Sequence, residues 1–423
     1  MGPEPLALVV AGGGPAGFMA AITAAEAGVS GVQVLEATPE PLHKVRISGG
    51  GRCNVTHACW DPRELVAHYP RGSRALRGPF SRFAAGDALA WFADRGLELV
   101  QEPDGRLFPR SNRSSSVVDT LRRAAAAAGV TLHTGLALQA ATRRDGGFSL
   151  ELRGQHQQLS VRQLVLATGS HPSGRRLAAS LGHSLAPPVP SLFTLALAAE
   201  PLLALAGVVM DPVGLSLELP DGGRQRQCGP VLITHWGLSG PATLRLTAFA
   251  ARQLQACRYR ARLRVDWSGG RSPQDLERLF RQCSTQQARR QLASARPWPE
   301  LSRRLWQHLL AQVGVEADRR WAELTREQRR RLIDALRDSS YAVSGRGPFG
   351  EEFVTAGGVP LGEVNLATME SRLTSGLHLV GELLDVDGVT GGFNFQHCWT
   401  SGWLAGRAIA QRPAGREPMA QRI

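Results

Sequence analysis

The stretch LALVVAGGGPAGFMAAITAAEAGVSGVQVLEA, residues 6–37, leaves the chain few architectures to choose from. It reads as an apolar strand, a glycine turn, a helix of small residues and a second strand ending at Glu36. Gly12, Gly14 and Gly17 follow the G-x-G-x-x-G spacing, with Pro15 and Ala16 opening the helix. In such a βαβ unit the first glycine permits the tight turn and the second lets a pyrophosphate approach the backbone. The third lets helix pack on strand, and the helix N-terminus faces the anion. Glu36 stands 24 positions after Gly12 (36 minus 12), where an acid grips a ribose hydroxyl pair. A lone glycine triad is a weak signal, but strand, helix and acid in sequence predict a dinucleotide site.

The rest of the chain supports an α/β fold around that unit. Residues 61–130 are mixed, and strand-like GVTLHTG, GFSLELRG and LSVRQLVLATGS follow with turn residues between them. Residues 191–268 read as further short strands. From Ser272-Pro273, a cap followed by proline, the pattern turns helical, and Thr325 with Gln328 fits a capping box. Strand-and-glycine texture resumes at VTAGGVPLGEVN. We therefore expect a Rossmann-like domain made of residues 1–190 and 345–423, interrupted by an inserted domain at 191–344. The insert is expected to be β-rich over 191–268 and helical over 269–344.

Composition narrows the setting. With 423 residues, 43% of them hydrophobic, the chain can bury the cores of two or three domains. No apolar run approaches the ~20 residues of a membrane span, and no signal-peptide pattern opens the chain, so a soluble cytoplasmic protein is expected. The six cysteines are scattered without a CxxC pair, which suits a reducing compartment and suggests no metal site. The net charge of +13 invites a polyanion. Basic residues are almost all arginine. Of the 49 Lys and Arg residues, only Lys44 is a lysine, and it sits in KVRISGGGRCN.

Several stretches together resemble the BaiN/RdsA group of FAD-dependent oxidoreductases. They are AGGGPAG, ISGGGRCNVTH, VLATGS, EPDGRLFPRSNRSSSVVDTL, THWGLSGPA and the run from VTAGGVPLGEVN through GELLDVDGVTGGFNFQHCWTSGWLAG. The SGGGRCN and GELLDVDG…GGFN runs are the most specific, and the match spans nearly the whole chain. The resemblance implies a Rossmann-like FAD-binding domain interrupted by an inserted domain, and reduction of conjugated C=C bonds in substrates such as bile-acid enones or uracil in ribosomal RNA.

A flavin cofactor gives the remaining motifs their roles. Pyrophosphate amides come from Gly12 to Gly17 and the ribose acid from Glu36. Thr168 and Gly169 end the apolar LVLA where backbone passes close to the cofactor. Gly381-Glu382 stands where flavoproteins often carry an Asp for the ribityl chain; the glutamate agrees with this family, and the alternative reading is a turn carboxylate. Gly391 and Gly392, followed by Phe393 and Asn394, precede a helix whose N-terminal amides would stabilise an anionic pyrimidine edge. The bare backbone of Ser48, Gly49, Gly50, Gly51 and Arg52 would let ring and loop touch.

Lys44, kept against the arginine bias, reads as a compact charge at the flavin or as a chance surface lysine. Cys53 reads as the acid that protonates one carbon of the C=C bond, or as a small buried hydrophobe. His57 is the next candidate for the proton. Cys53 and Cys59 have five residues between them, where disulfide reductases have four, so that mechanism is set aside. No second G-x-G-x-x-G appears, so NAD(P)H is expected only as a transient reductant.

Residues 271–338 carry fifteen arginines against nine acids. They read as a salt-bridged helical surface or as a platform for RNA phosphates, with Arg329, Arg330, Arg331 and Arg337 the candidate contacts. The expected activity is FAD-dependent C=C reduction, of uracil in ribosomal RNA or of a small steroid-like enone. A flavin-containing binding protein without turnover is the third possibility. Oligomeric state is not legible. The purified protein should be yellow, and Glu36→Ala should retain the fold yet release FAD more readily on gel filtration; a colourless protein that takes up no added FAD would overturn this reading.

Overall fold

The computed structural model describes residues 4–347 and 354–412. The chain splits into two compact units, Met1–Pro188 with Val354–Ile423, and Val189–Phe353. In the first, five parallel strands lie in the order Leu377–Leu379, Leu159–Leu166, Leu6–Ala11, Val32–Glu36 and Thr131–Thr134. Leu6–Ala11 is central, paired on both sides, and Leu8, Val9 and Val10 are fully buried. A strand covered on both faces must be apolar throughout, which is why this one shows no alternation.

The fingerprint glycines are demanded by space. A Cβ at Gly12, where φ is +115°, would lie 2.4 Å from the Ala167 carbonyl oxygen, and one at Gly17 would lie 2.0 Å from that of Gly12. Pro15 begins the helix Pro15–Glu26, where a missing N–H costs nothing. Against this helix runs the C-terminal helix Phe393–Ala410. Gly402 and Gly406 face it one turn apart, and a Cβ at either would stand 2.4 Å from Ala16 O or 2.6 Å from Ala20 O. The two backbones therefore meet directly.

The segment around the three glycines starts as a helix at His43. It breaks at Ser48, whose ψ is 153°, and passes through left-handed Gly49 and Gly50. It continues into the short strand Thr56–His57, paired with Arg106–Pro109. Thr56 Oγ1 donates to Gln396 Oε1 at 2.6 Å and the Trp399 indole donates to Val55 O at 2.9 Å, so the C-terminal helix holds this strand from behind.

The second unit is a closed six-stranded barrel with helices. Its strands run Leu195–Leu197, Gly237–Ser239, Arg224–Ile233, Val209–Glu218, Ala261–Asp266 and Ser339–Arg346 in barrel order. Helices Pro273–Gln286, Arg303–Gln312 and Arg326–Asp338 pack through Phe280, Trp306 and Trp321, the two indoles stacked 6.1 Å apart. The Thr325/Gln328 capping box is present, with bonds of 3.2 and 3.1 Å. Two features of this unit differ from the sequence reading. The helical stretch expected to reach 344 ends at Asp338, because Ser339, Tyr341 and Val343 alternate inward and close the barrel. The β-rich stretch contains two helices, Pro241–Phe249 and Ala251–Ala256. Among the described residues no helix is long and apolar enough to cross a membrane.

Forcing a methyl between two backbones is overpacking, so Gly402→Ala should cost about 1–3 kcal/mol and lower the thermal midpoint. Gly362→Ala, where nothing lies within 4 Å of the new Cβ, should leave the midpoint almost unchanged.

Candidate cofactor and active site

Strands Leu6–Ala11, Val32–Glu36, Leu159–Leu166 and Leu377–Leu379 run parallel, so their C-terminal ends share one edge of the sheet. Ligands of open α/β sheets bind outside such edges. The edge gathers Gly12–Gly14, Glu36, Thr168 to Ser170 and Gly381-Glu382, all from separate motifs. Glu36 Oε2 accepts from Gly13 N at 2.8 Å, while Oε1 accepts from Thr38 N and Thr38 Oγ1 at 2.8 and 2.7 Å. Those bonds fix the carboxylate beside the glycine turn and leave lone pairs for a further donor.

Lys44 meets Glu382 across this edge. Its Nζ lies 2.6 Å from Glu382 Oε2 and 3.4 Å from Ser170 Oγ, and Thr355 N donates to Glu382 Oε1 at 3.1 Å. The lysine side chain is 51% exposed and the glutamate 16%. Gly169, with φ at +60°, leaves Glu382 Oε2 just 3.8 Å from where its Cβ would be. Three motifs that are distant in sequence thus supply one site.

The glycine loop divides its labour. Gly50 and Gly51 have positive φ, and no atom lies within 4 Å of where a Cβ would stand at either, so their backbone is open. Ser48 Oγ turns back to donate to Val45 O. Arg52 is held at 2.7 Å by Glu102 and lies 4.0 Å over the Phe108 ring. At the other glycine pair, a Cβ on Gly392 would be 2.7 Å from Thr56 backbone atoms, and no side chain caps the helix that starts at Phe393. The Phe393 ring is buried and stacked on His68 and His57 at 4.1 and 4.8 Å. Asn394 uses both ends of its amide on Gly388, at 2.8 and 2.9 Å. Phe393 and Asn394 therefore shape the loop with their side chains, and their amides are what the helix start can offer.

Cys53 is brought to the site's neighbourhood but enclosed. It has no exposed surface, and burial pushes its thiol up to about 12. A thiol so enclosed is a weak acid, which favours the reading of Cys53 as a small buried hydrophobe. His57 is also restricted. Its Nε2–H donates to Asp104 O at 3.0 Å, burial holds its pKa below the usual value, and Nδ1 is enclosed without a partner. Lys44 is the candidate whose polar head reaches solvent.

Sequence reasoning missed one ion pair. Arg71 forks onto both oxygens of fully buried Asp387, fastening the DVDG turn to the arginine-rich stretch after His68. The available signal was Asp387 itself, an acid set between Val386 and Gly388-Val389 in the DVDG turn.

FAD fits these residues. Thr168 Oγ1 and Asn54 Oδ1 are buried without a hydrogen-bond partner, both inside the shared motifs, which marks places where a bound group would complete the polar set. Open backbone at Gly14, Gly50 and Gly51 and an uncapped helix start supply the room and the amides. In the native protein an alkylating reagent at neutral pH should label exposed Cys228 and spare Cys53 and Cys398, with all three modified after unfolding; rapid native labelling of Cys53 would contradict the burial.

Comparison with known proteins agrees with this geometry. The family model described as "HI0933-like protein Rossmann domain" matches residues 6–408. A 3-dehydro-bile acid delta(4,6)-reductase of Clostridium scindens is 31% identical over 96% of this chain and 99% of its own length. A ribosomal RNA dihydrouridine synthase of Escherichia coli is 27% identical over 95% of this chain and 97% of its own. A crystal structure of 3-ketosteroid delta1-dehydrogenase from Sterolibacterium denitrificans shares the fold, with a TM-score of 0.53 and 13% identity over 96% of this chain and 100% of that one. The chain belongs to the HI0933-like Rossmann-domain family, the BaiN/RdsA group of FAD-dependent oxidoreductases that its motifs resemble.

Proposed function

We propose that this protein reduces an activated C=C bond with FAD, and that its substrate is uracil in ribosomal RNA, which becomes dihydrouridine. The observation that carries the reaction class is the convergence of Lys44, Ser170 and Glu382 at the strand edge that also bears the glycine turn. When bound, FAD supplies the hydride. The chain's own residues bind and orient it: Gly12 to Gly17 at the pyrophosphate, Glu36 at the ribose, and Thr168, Gly169 and Glu382 along the ribityl chain. The amides after Gly391-Gly392 stabilise negative charge at the pyrimidine edge.

In this reading Lys44 sets the position of Glu382 and places a compact positive charge at the cofactor. Cys53 packs the loop from within. NAD(P)H is the reductant we propose, visiting transiently.

Two features favour RNA: the excess of arginine in the inserted unit and a full-length relative named for dihydrouridine synthesis. The bile acid reductase at 31% identity supports a second reading, a small enone as substrate.

Nucleoside mass spectrometry of ribosomal RNA from a deletion strain should show loss of dihydrouridine; unchanged dihydrouridine would move the assignment to the small enone. In stopped-flow work Cys53→Ala should retain FAD and reoxidise with substrate within a few-fold of the native rate. Lys44→Met should slow that step by ~100-fold, as expected for loss of a positioned positive charge at the cofactor and of the group that orients Glu382. A native rate in Lys44→Met would remove the lysine from the mechanism.

A further inference from the structure

The arginines of the inserted helices are largely engaged by their own unit. Arg281 lies 2.9 Å from Glu277, and Arg329 lies 3.6 Å from the same carboxylate and donates to Leu324 O. Arg330 is 3.6 Å from Glu327, and Arg337 donates to Arg271 O at 3.1 Å.

The wall of the barrel is different. Strand register places Ser216 opposite Arg226 on one side and Arg264 on the other, and Glu218 opposite Arg224 and Arg262. Residues directly opposite share a face, and their neighbours Leu215, Leu217, Leu263 and Val265 fill the interior, so these rows point outward. Two arginine columns thus stand about 10 Å apart, two strand spacings, with a column of Ser216 and Glu218 between them. The adjoining strand adds only Ser340 and Ala342 opposite Arg264 and Arg262. Arg260 immediately precedes the strand Ala261–Asp266 and is also exposed.

The acids here are outnumbered. Glu218 holds Arg224 and Arg264, each at 2.9 Å, and Asp338 holds Arg264. Arg226, Arg260 and Arg262 are exposed and have no ion-pair partner among the described residues. Guanidinium groups collected on one flat face repel each other and contribute nothing to the core, while their fork matches the oxygens of phosphate.

We propose that this barrel wall is the docking surface for RNA, gripping the phosphate backbone through Arg226, Arg260 and Arg262, with Arg224 and Arg264 flanking. The proposal rests on the reading that RNA is the substrate. Contacts of this kind position the nucleic acid and carry no base sequence, so recognition of the target uracil falls to other residues.

The test measures anisotropy of a fluorescein-labelled, uridine-rich single-stranded RNA oligonucleotide with the full-length, FAD-loaded protein over a range of KCl concentrations. Each lost phosphate contact removes about 0.7 from the slope of log K against log salt, so Arg226→Ala/Arg262→Ala should flatten it by about 1.4. Arg281→Ala/Arg330→Ala, which removes arginines already held by Glu277 and Glu327, should leave the slope unchanged. Thermal midpoint and FAD content, read in parallel, should match the parent in both variants. Native slope and affinity in the barrel variant, or no RNA binding by the parent at low salt, overturns the surface. Persistent dihydrouridine in the deletion strain alongside barrel-dependent RNA binding would instead keep the surface and remove ribosomal uracil as the substrate.

Discussion

Two helices in this protein lie so close that neither admits a methyl group between them. Gly402 and Gly406 of the C-terminal helix rest on the carbonyls of Ala16 and Ala20 in the helix that follows the glycine fingerprint. A contact of backbone on backbone has almost no freedom to slide, since any side chain at the two glycines would strike main-chain oxygen. It therefore fixes the beginning of the first helix against a segment from the far end of the chain. The same contact brings Gly381 against Ala16, where a Cβ would come within 2.9 Å of the alanine methyl. The phosphate turn and the Gly381-Glu382 turn are consequently held as one piece.

Two ion pairs sit on that piece and serve different ends. Asp387 is fully buried and forked by Arg71, so removing either partner would strand a charge and cost about 3–5 kcal/mol. Its work is structural: it ties down the turn that leads to Gly391 and Gly392. Lys44 and Glu382 are more open to solvent, and an exposed pair contributes about 0–1 kcal/mol. A pair worth so little to stability, placed where the strand ends meet, makes sense as a device for position and charge.

Much of this was legible one segment at a time. The fingerprint glycines, Glu36, the bare glycine run after Ser48 and the glycine pair before Phe393 each announce themselves through local rules: residue spacing and glycine content. What one segment does not reveal is which distant neighbours its residues meet. Asn394 belongs to a cofactor motif, and the fold closes its side-chain amide on Gly388. Cys53 stands beside three glycines, and the fold encloses its thiol. Ser339–Arg346 follows a long helical run and reads as its continuation, although its alternation of buried and exposed residues needs only barrel partners to become a strand.

The sequence by itself determined the parallel α/β core, the dinucleotide turn and the family, because those depend on short-range spacing and on backbone positions that only glycine can occupy. Tertiary structure alone decided that Lys44 faces Glu382, that Arg71 serves Asp387, and that the exposed arginines of the insert gather on a barrel wall. Each of those outcomes depends on which strand ends or strand faces are neighbours, and local spacing does not specify which distant segments will pair.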